Sequence, residues 1–263
     1  MIQGGGKRMS IDGYVYVPEE SKEAMTQASQ GARVSLSDGK PPFIVVDHYL
    51  ESIVVAQWPG KLWHVRILEP LTKAAEQAAG VAPLIAGATY TRALSVEVLD
   101  EIPIARLFGN CGEAVCAIIS QAGQMQIEQV HSLAAARHPA AGATYARLWK
   151  NWLASISHVT STEPPDDVAT VSVFVGQGRP KSPVNEGFSV LYQEMINRAE
   201  SVSGAAAFIE EEEEEDRYLE PNWSAATKTL LDATMAYGAP QLCTQEDCTI
   251  LTQAWCSVIG PLS

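Results

Sequence analysis

Seven carboxylates in a row, Glu210, Glu211, Glu212, Glu213, Glu214, Glu215 and Asp216, limit how this chain can fold. An unpaired carboxylate is too costly to bury, so no such run enters a core. The run therefore reads as a solvated linker that repels itself and stays extended. The run also supplies much of the acidity: without it the formal charge of −13 falls to −6. What remains is ordinary globular sequence. Hydrophobic residues make up 46% of 263, enough for a core that needs no disulfide staples.

Apolar residues at every second position mark strands. Over Lys61–Leu68, Trp63, Val65 and Ile67 fall on one face and Leu62, His64, Arg66 and Leu68 on the other. Phe43–Asp47, Tyr90–Asp100 and Val168–Val175 also read as extended. Pro59-Gly60 is a turn dipeptide and predicts a hairpin joining 52–58 to 61–68. Ala114–Ser120 and Gln124–Val130 flank Gln121-Ala122-Gly123, which fits a second hairpin or a helix entering a strand.

Caps and three- or four-residue spacing predict the helices. One opens at Pro18-Glu19-Glu20 and stops at Gly31. An Ala-rich one runs from Pro70 to Gly80. A third has Thr144 as its cap and Leu148, Trp149, Trp152 and Ile156 on one side. Phe188–Glu200 follows. Two more lie near Trp223–Tyr237, capped by Asn222 or Ser224, and near Gln245–Val258, capped by Thr244. The expected class is α+β: a mixed or antiparallel sheet with flanking helices and a C-terminal helical pair. Residues 1–38 read as an N-terminal arm and helix, and 39–206 as the α+β body. An acidic linker follows at 207–221, then a helical hairpin at 222–263 packed on the body.

Charge and cysteine usage exclude several function classes. No basic run exceeds Lys7-Arg8, which disfavours nucleic acid and anionic membrane surfaces. No stretch approaches the roughly 18 apolar residues of a membrane span, and the N-terminus lacks a signal-peptide core. The five cysteines, an odd number, make no disulfide framework. Free thiols and a cytoplasmic location are expected. Cys111/Cys116 and Cys243/Cys248 both have Cys-x4-Cys spacing. However, Cys248 and Cys256 share a helix side with Leu251 and Trp255, the pattern of a core stripe. No metal and no cofactor is expected.

Three segments carry chemistry. In Gly109-Asn110-Cys111-Gly112-Glu113, a cysteine at a helix start feels the positive end of the dipole, which favours its thiolate. A nucleophile also needs a base and an orienting group. His64 is the chosen base, with His48, His131 and His138 available, and Asp47 or Asp100 as the orienter. The second segment is Gly176-Gln-Gly178-Arg179-Pro-Lys181, between a strand and a helix. Its Gly176, Gly178, Arg179 and Lys181 could hold phosphate, although they match no known fingerprint. The third is the acidic run with Tyr218 and Trp223 beside it. Carboxylates steer a cationic partner, and an aromatic next to a charged rim anchors it.

The leading expectation is a cytosolic acidic binding module, an adaptor or inhibitor of the immunity or antitoxin kind, masking a basic surface of a partner protein. The alternative is a cysteine-dependent hydrolase or acyl transferase with Cys111 as nucleophile and His64 as base. A phosphate-ligand protein using 176–181 is the third reading.

Overall fold

The first half of the chain alternates apolar and polar residues, and it forms strands. In the computed structural model these are β1 (Asp12–Pro18), β2 (Arg33–Ser35), β3 (Ile44–Asp47), β4 (Gly60–Pro70) and β5 (Tyr90–Ile102). The structure describes residues 12–21, 24–36, 39–55, 57–81, 90–156, 183–210 and 217–262. Every strand pair is antiparallel. β1 pairs with β3 and β4, and β5 pairs with both of those as well, so the four strands close into a small barrel. β2 extends the edge of β5 past β3, at Ser95–Glu97. Closure leaves few free edges, the usual weakness of a small sheet.

Alternation places the core. Val15 and Val17 of β1, Val46 of β3, Val65 of β4, and Val96 and Val98 of β5 turn inward with Trp63. Their neighbours Tyr14, Tyr16, His64 and Arg66 are half-buried. The two-face reading of 61–68 holds, except that Leu62 is buried too. The expected hairpin at Pro59-Gly60 does not form. The second arm is β4, but its partners are β1 and β5, and Leu50–Ser52 is a single 3-10 turn. Long-range pairing of matched apolar faces outweighs the local turn signal.

The N-terminal helix expected from Pro18 is also replaced. Pro18 ends β1 opposite Gly60, and one 3-10 turn, Ala24–Gln27, drops Met25 into the barrel core. The Tyr-Val-Tyr-Val stretch before Pro18 is aromatic and β-branched at period two, a stronger strand signal than the proline is a helix signal. Helix α1 (Lys73–Ala78) follows β4 as expected, with Thr72 Oγ1 accepting the Ala75 amide at 3.2 Å.

By internal contact the described residues divide into two compact units, one ending at Ile104 and one beginning at Ala105. This division does not coincide with expected boundaries at 38/39, 206/207 and 221/222. The second unit holds α2 (Gly112–Gly123), α3 (Ile127–Ala136), α4 (Ala141–Ile156), α5 (Pro183–Ser203), the short strands β6 (Phe208–Glu210) and β7 (Arg217–Leu219), α6 (Pro221–Gly238) and α7 (Gln245–Val258). The ambiguous 114–130 segment is thus two helices. Val115, Ile118, Ile119 and Ala122 make the buried side of α2.

Helix α6 is the centre of this unit. It buries ten of its 18 residues, more than one face, and it touches α2, α3, α4, α5 and α7. The C-terminal pair therefore packs among the other helices of its own unit. Small residues allow the crowding. A Cβ on Gly187 of α5 would lie 2.9 Å from one methyl of Val115, and on Gly238 of α6 2.8 Å from the other. The buried threonines of α6 donate back to carbonyls one turn earlier, as Thr227 does to Trp223 at 2.8 Å and Thr234 to Leu230 at 2.9 Å.

Two caps differ from expectation. Glu220, not Asn222 or Ser224, caps α6, its carboxylate accepting the Asn222 amide at 3.0 Å. Thr144 lies inside α4, buried, rather than at its start. Thr244 does cap α7.

Candidate functional site

The residues that bracket the acidic run form a β-hairpin. Phe208 pairs with Leu219, Ile209 with Tyr218 and Glu210 with Arg217. Period two divides the two faces. Leu219 is buried and Phe208 half-buried, so this pair faces the unit. The Arg217 guanidinium covers the Phe208 ring at 4.2 Å and lies 3.9 Å from Glu200. Ile209 and Tyr218 face outward, 46% and 45% exposed. The expected linker thus has paired strands at both ends. Residues 211–216, which carry Glu211 to Asp216, lie outside the described residues, and Glu210, the first of the acidic series, ends β6.

Trp223 is not part of this surface. It is 1% exposed in α6, and its indole N–H donates to Ser203 Oγ at 3.3 Å. Its expected place as an exposed anchor is therefore corrected: Trp223 is a core residue. A tryptophan next to a charge run reads alike in sequence whether it is an anchor or a core residue. Ile209 is the residue that sequence reasoning passed over, although the alternation Phe208-Ile209 before the run was its signal.

Cys111 stands at the N-cap of α2, half-buried, as the sequence suggested. Its side chain makes no capping bond, and Glu113 in the first turn sets a carboxylate against the dipole. One turn on, burial and the Glu113 charge push the Cys116 thiol up to about 12, so it stays protonated. In this unit His138 is occupied, its Nδ1 accepting the Ala140 amide at 3.1 Å, and His131 is exposed on α3. Among the described residues neither is hydrogen-bonded to Cys111. His64 belongs to the barrel unit. There its Nδ1 lies 3.6 Å from Asp100 Oδ2, and its ring stacks on Tyr14 at 5.5 Å. His48 meets the Thr91 hydroxyl at 2.9 Å. Of the two expected orienters, Asp47 and Asp100, Asp100 is the one near His64, and Cys111 belongs to the other unit.

Gly176, Gly178, Arg179 and Lys181 lie outside the described residues, as does the strand expected at 168–175. Among the described residues no three histidines, cysteines or carboxylates are grouped to hold a metal, and no helix is long and apolar enough to cross a membrane. Compared with protein-family models, curated proteins and solved structures, the chain matches none. The roles of its residues rest on geometry alone.

The remaining chemistry gathers at the junction of α6 and α7. Cys243 and Cys248 are half-buried there, Cys256 is exposed, and the Tyr237 hydroxyl lies 3.5 Å from Cys256 Sγ. Burial, then the charge of Cys248 and a hydrogen bond with its side chain, push the Cys243 thiol up to about 12. The spacing of this pair was visible in sequence, but only as a metal-ligand pattern.

Proposed function

We propose that the protein is a cytoplasmic binding module that masks a basic surface on a partner protein, using the 208–219 hairpin. One observation carries this reading: the exposed cross-strand pair Ile209 and Tyr218 sits at the base of the carboxylate run. An apolar and aromatic pair beside a dense charge is the make-up of an interface, with contact area at the centre and charge at the rim. The carboxylates raise the rate of encounter with a cationic surface, and that effect weakens with salt. Tyr218 and Ile209 then slow dissociation. Unpaired thiols at all five cysteines suit a reducing compartment.

The test uses a basic protein recovered on the wild-type chain and then purified. Changing Glu210–Glu215 to Gln lowers its association rate and flattens the salt dependence. Tyr218→Ala leaves association alone and speeds dissociation. An association rate and salt slope indifferent to the glutamines removes the reading.

A further inference from the structure

We propose that Cys243 and Cys248 form a reversible disulfide, closed by exchange with a small-molecule disulfide of the glutathione class. Helix α7 begins with a reciprocal capping box. Thr244 Oγ1 accepts the Asp247 amide at 3.2 Å, and Asp247 Oδ2 accepts the Thr244 amide at 3.0 Å. This box turns the chain so that the residue before the cap meets the fourth residue of the helix, where an apolar pair usually packs. In this chain those two places hold Cys243 and Cys248. The Cys248 amide bonds to the Thr244 carbonyl at 3.0 Å, Cys243 Sγ donates to the Ala239 carbonyl at 3.7 Å, and the charge of Cys248 acts on the Cys243 thiol across that turn. A disulfide asks for Cβ atoms about 4 Å apart, a spacing that the two positions packed together by a capping box bring within reach. Both are half-buried, so a small reagent reaches them more readily than another protein does.

The environment orders the steps. The Cys243 thiol is engaged as a donor to the Ala239 carbonyl and held protonated by burial, so Cys248 is the attacking sulfur. Its thiolate bonds to one sulfur of the small disulfide, the S–S bond of that reagent breaks, and the released thiolate takes a proton from water. In the mixed disulfide Cys248 carries no thiolate charge, which removes one of the causes that raised the Cys243 thiol. Cys243 then gives its proton to water, bonds to Cys248 and expels the second small thiolate. Two protein thiols are oxidised to one disulfide, and one small disulfide is reduced to two thiols.

The experiment equilibrates the full chain with reduced and oxidised glutathione in varied ratio, quenches it in acid, and maps thiols by peptide mass spectrometry. The expected product in the wild type is the 243–248 link, with two hydrogens lost and two alkylatable thiols gone, reversed by reduced glutathione. In Cys243→Ser a glutathione stays trapped on Cys248. Cys256, exposed and outside the pair, is the internal control. Stable glutathione on Cys248 in the wild type, a link from Cys248 to Cys256, or an unreacted pair beside modified Cys256 would each overturn the proposal. The wild-type map decides the matter even if a variant fails to fold.

Discussion

Asp232 is 2% exposed inside α6, and it is tolerated because Arg137 grips it with two hydrogen bonds, at 2.8 and 3.3 Å. Removing one partner of a buried ion pair leaves a bare charge and costs about 3–5 kcal/mol. Arg137→Ala is therefore expected to lower unfolding free energy by about 3 kcal/mol, read by urea titration. The pH dependence carries the sign of the buried group. Burial raises the Asp232 pKa above its ordinary value and Arg137 draws it down, the balance remaining upward. A raised carboxylate costs stability when ionised, and that cost is relieved as pH falls through the folded value. Without Arg137 the folded value rises further, so the deficit of the variant is largest near neutrality and shrinks on acidification. Asp247 behaves oppositely. The Thr244 amide, then the Thr244 hydroxyl and Arg147, hold its pKa below 3.8. Its contribution is present above that ordinary value and is lost as pH falls through the folded one. Asp247→Ala costs about 1 kcal/mol near neutrality and less in strong acid, measured in the same way. The Thr244 cap was legible because capping is local. The Arg137–Asp232 pair, 95 residues apart, has no local signature, and neither has the burial of Trp223.

Period and punctuation made some elements readable and misled at others. β4 and β5 announced themselves by alternation, β3 by a short apolar run, and α7 by its Thr244 cap. The hairpin of β6 and β7 was hidden because glutamate is a poor strand former and seven carboxylates read as linker. Its pairing shows instead in the residues on either side, Phe208-Ile209 and Tyr218-Leu219, whose apolar members face alternately in and out. This division has a consequence for stability. Leu219→Ala empties a buried position and is expected to cost about 2–3 kcal/mol. The double change Ile209→Ala with Tyr218→Ala falls on the exposed face, where a cross-strand contact is worth about 0.2–1 kcal/mol. Denaturant midpoints of the two variants separate these effects. The same double variant is expected to bind the basic partner more weakly than wild type, so a loss of binding with an unmoved midpoint locates the interface on the outer face of the hairpin.

At the scale of the whole molecule, composition and alternation were enough for the α+β class, and the pairing itself decides between a mixed and an antiparallel sheet in favour of the second. The division after Ile104 was not legible. No glycine- or serine-rich linker marks it, because β5 runs through Ile102 and a 3-10 turn starts at Ile104. Each side of that junction has its own interior: the barrel is filled by Val46, Val65 and Val96, and the helical unit is built around α6. A unit with a separate core has the means to unfold as a separate cooperative step. Two reporters distinguish the steps. Amide hydrogen exchange along β4 and β5 reports the barrel, and the far-ultraviolet helical signal comes chiefly from the unit that holds α2 to α7. Val65→Ala removes buried surface worth about 2 kcal/mol and is expected to lower the barrel transition alone. Leu230→Ala, fully buried in α6, is expected to lower the helical transition by about 3 kcal/mol and leave the barrel where it was. Equal displacement of both signals by either substitution would mean that the two cores melt as one.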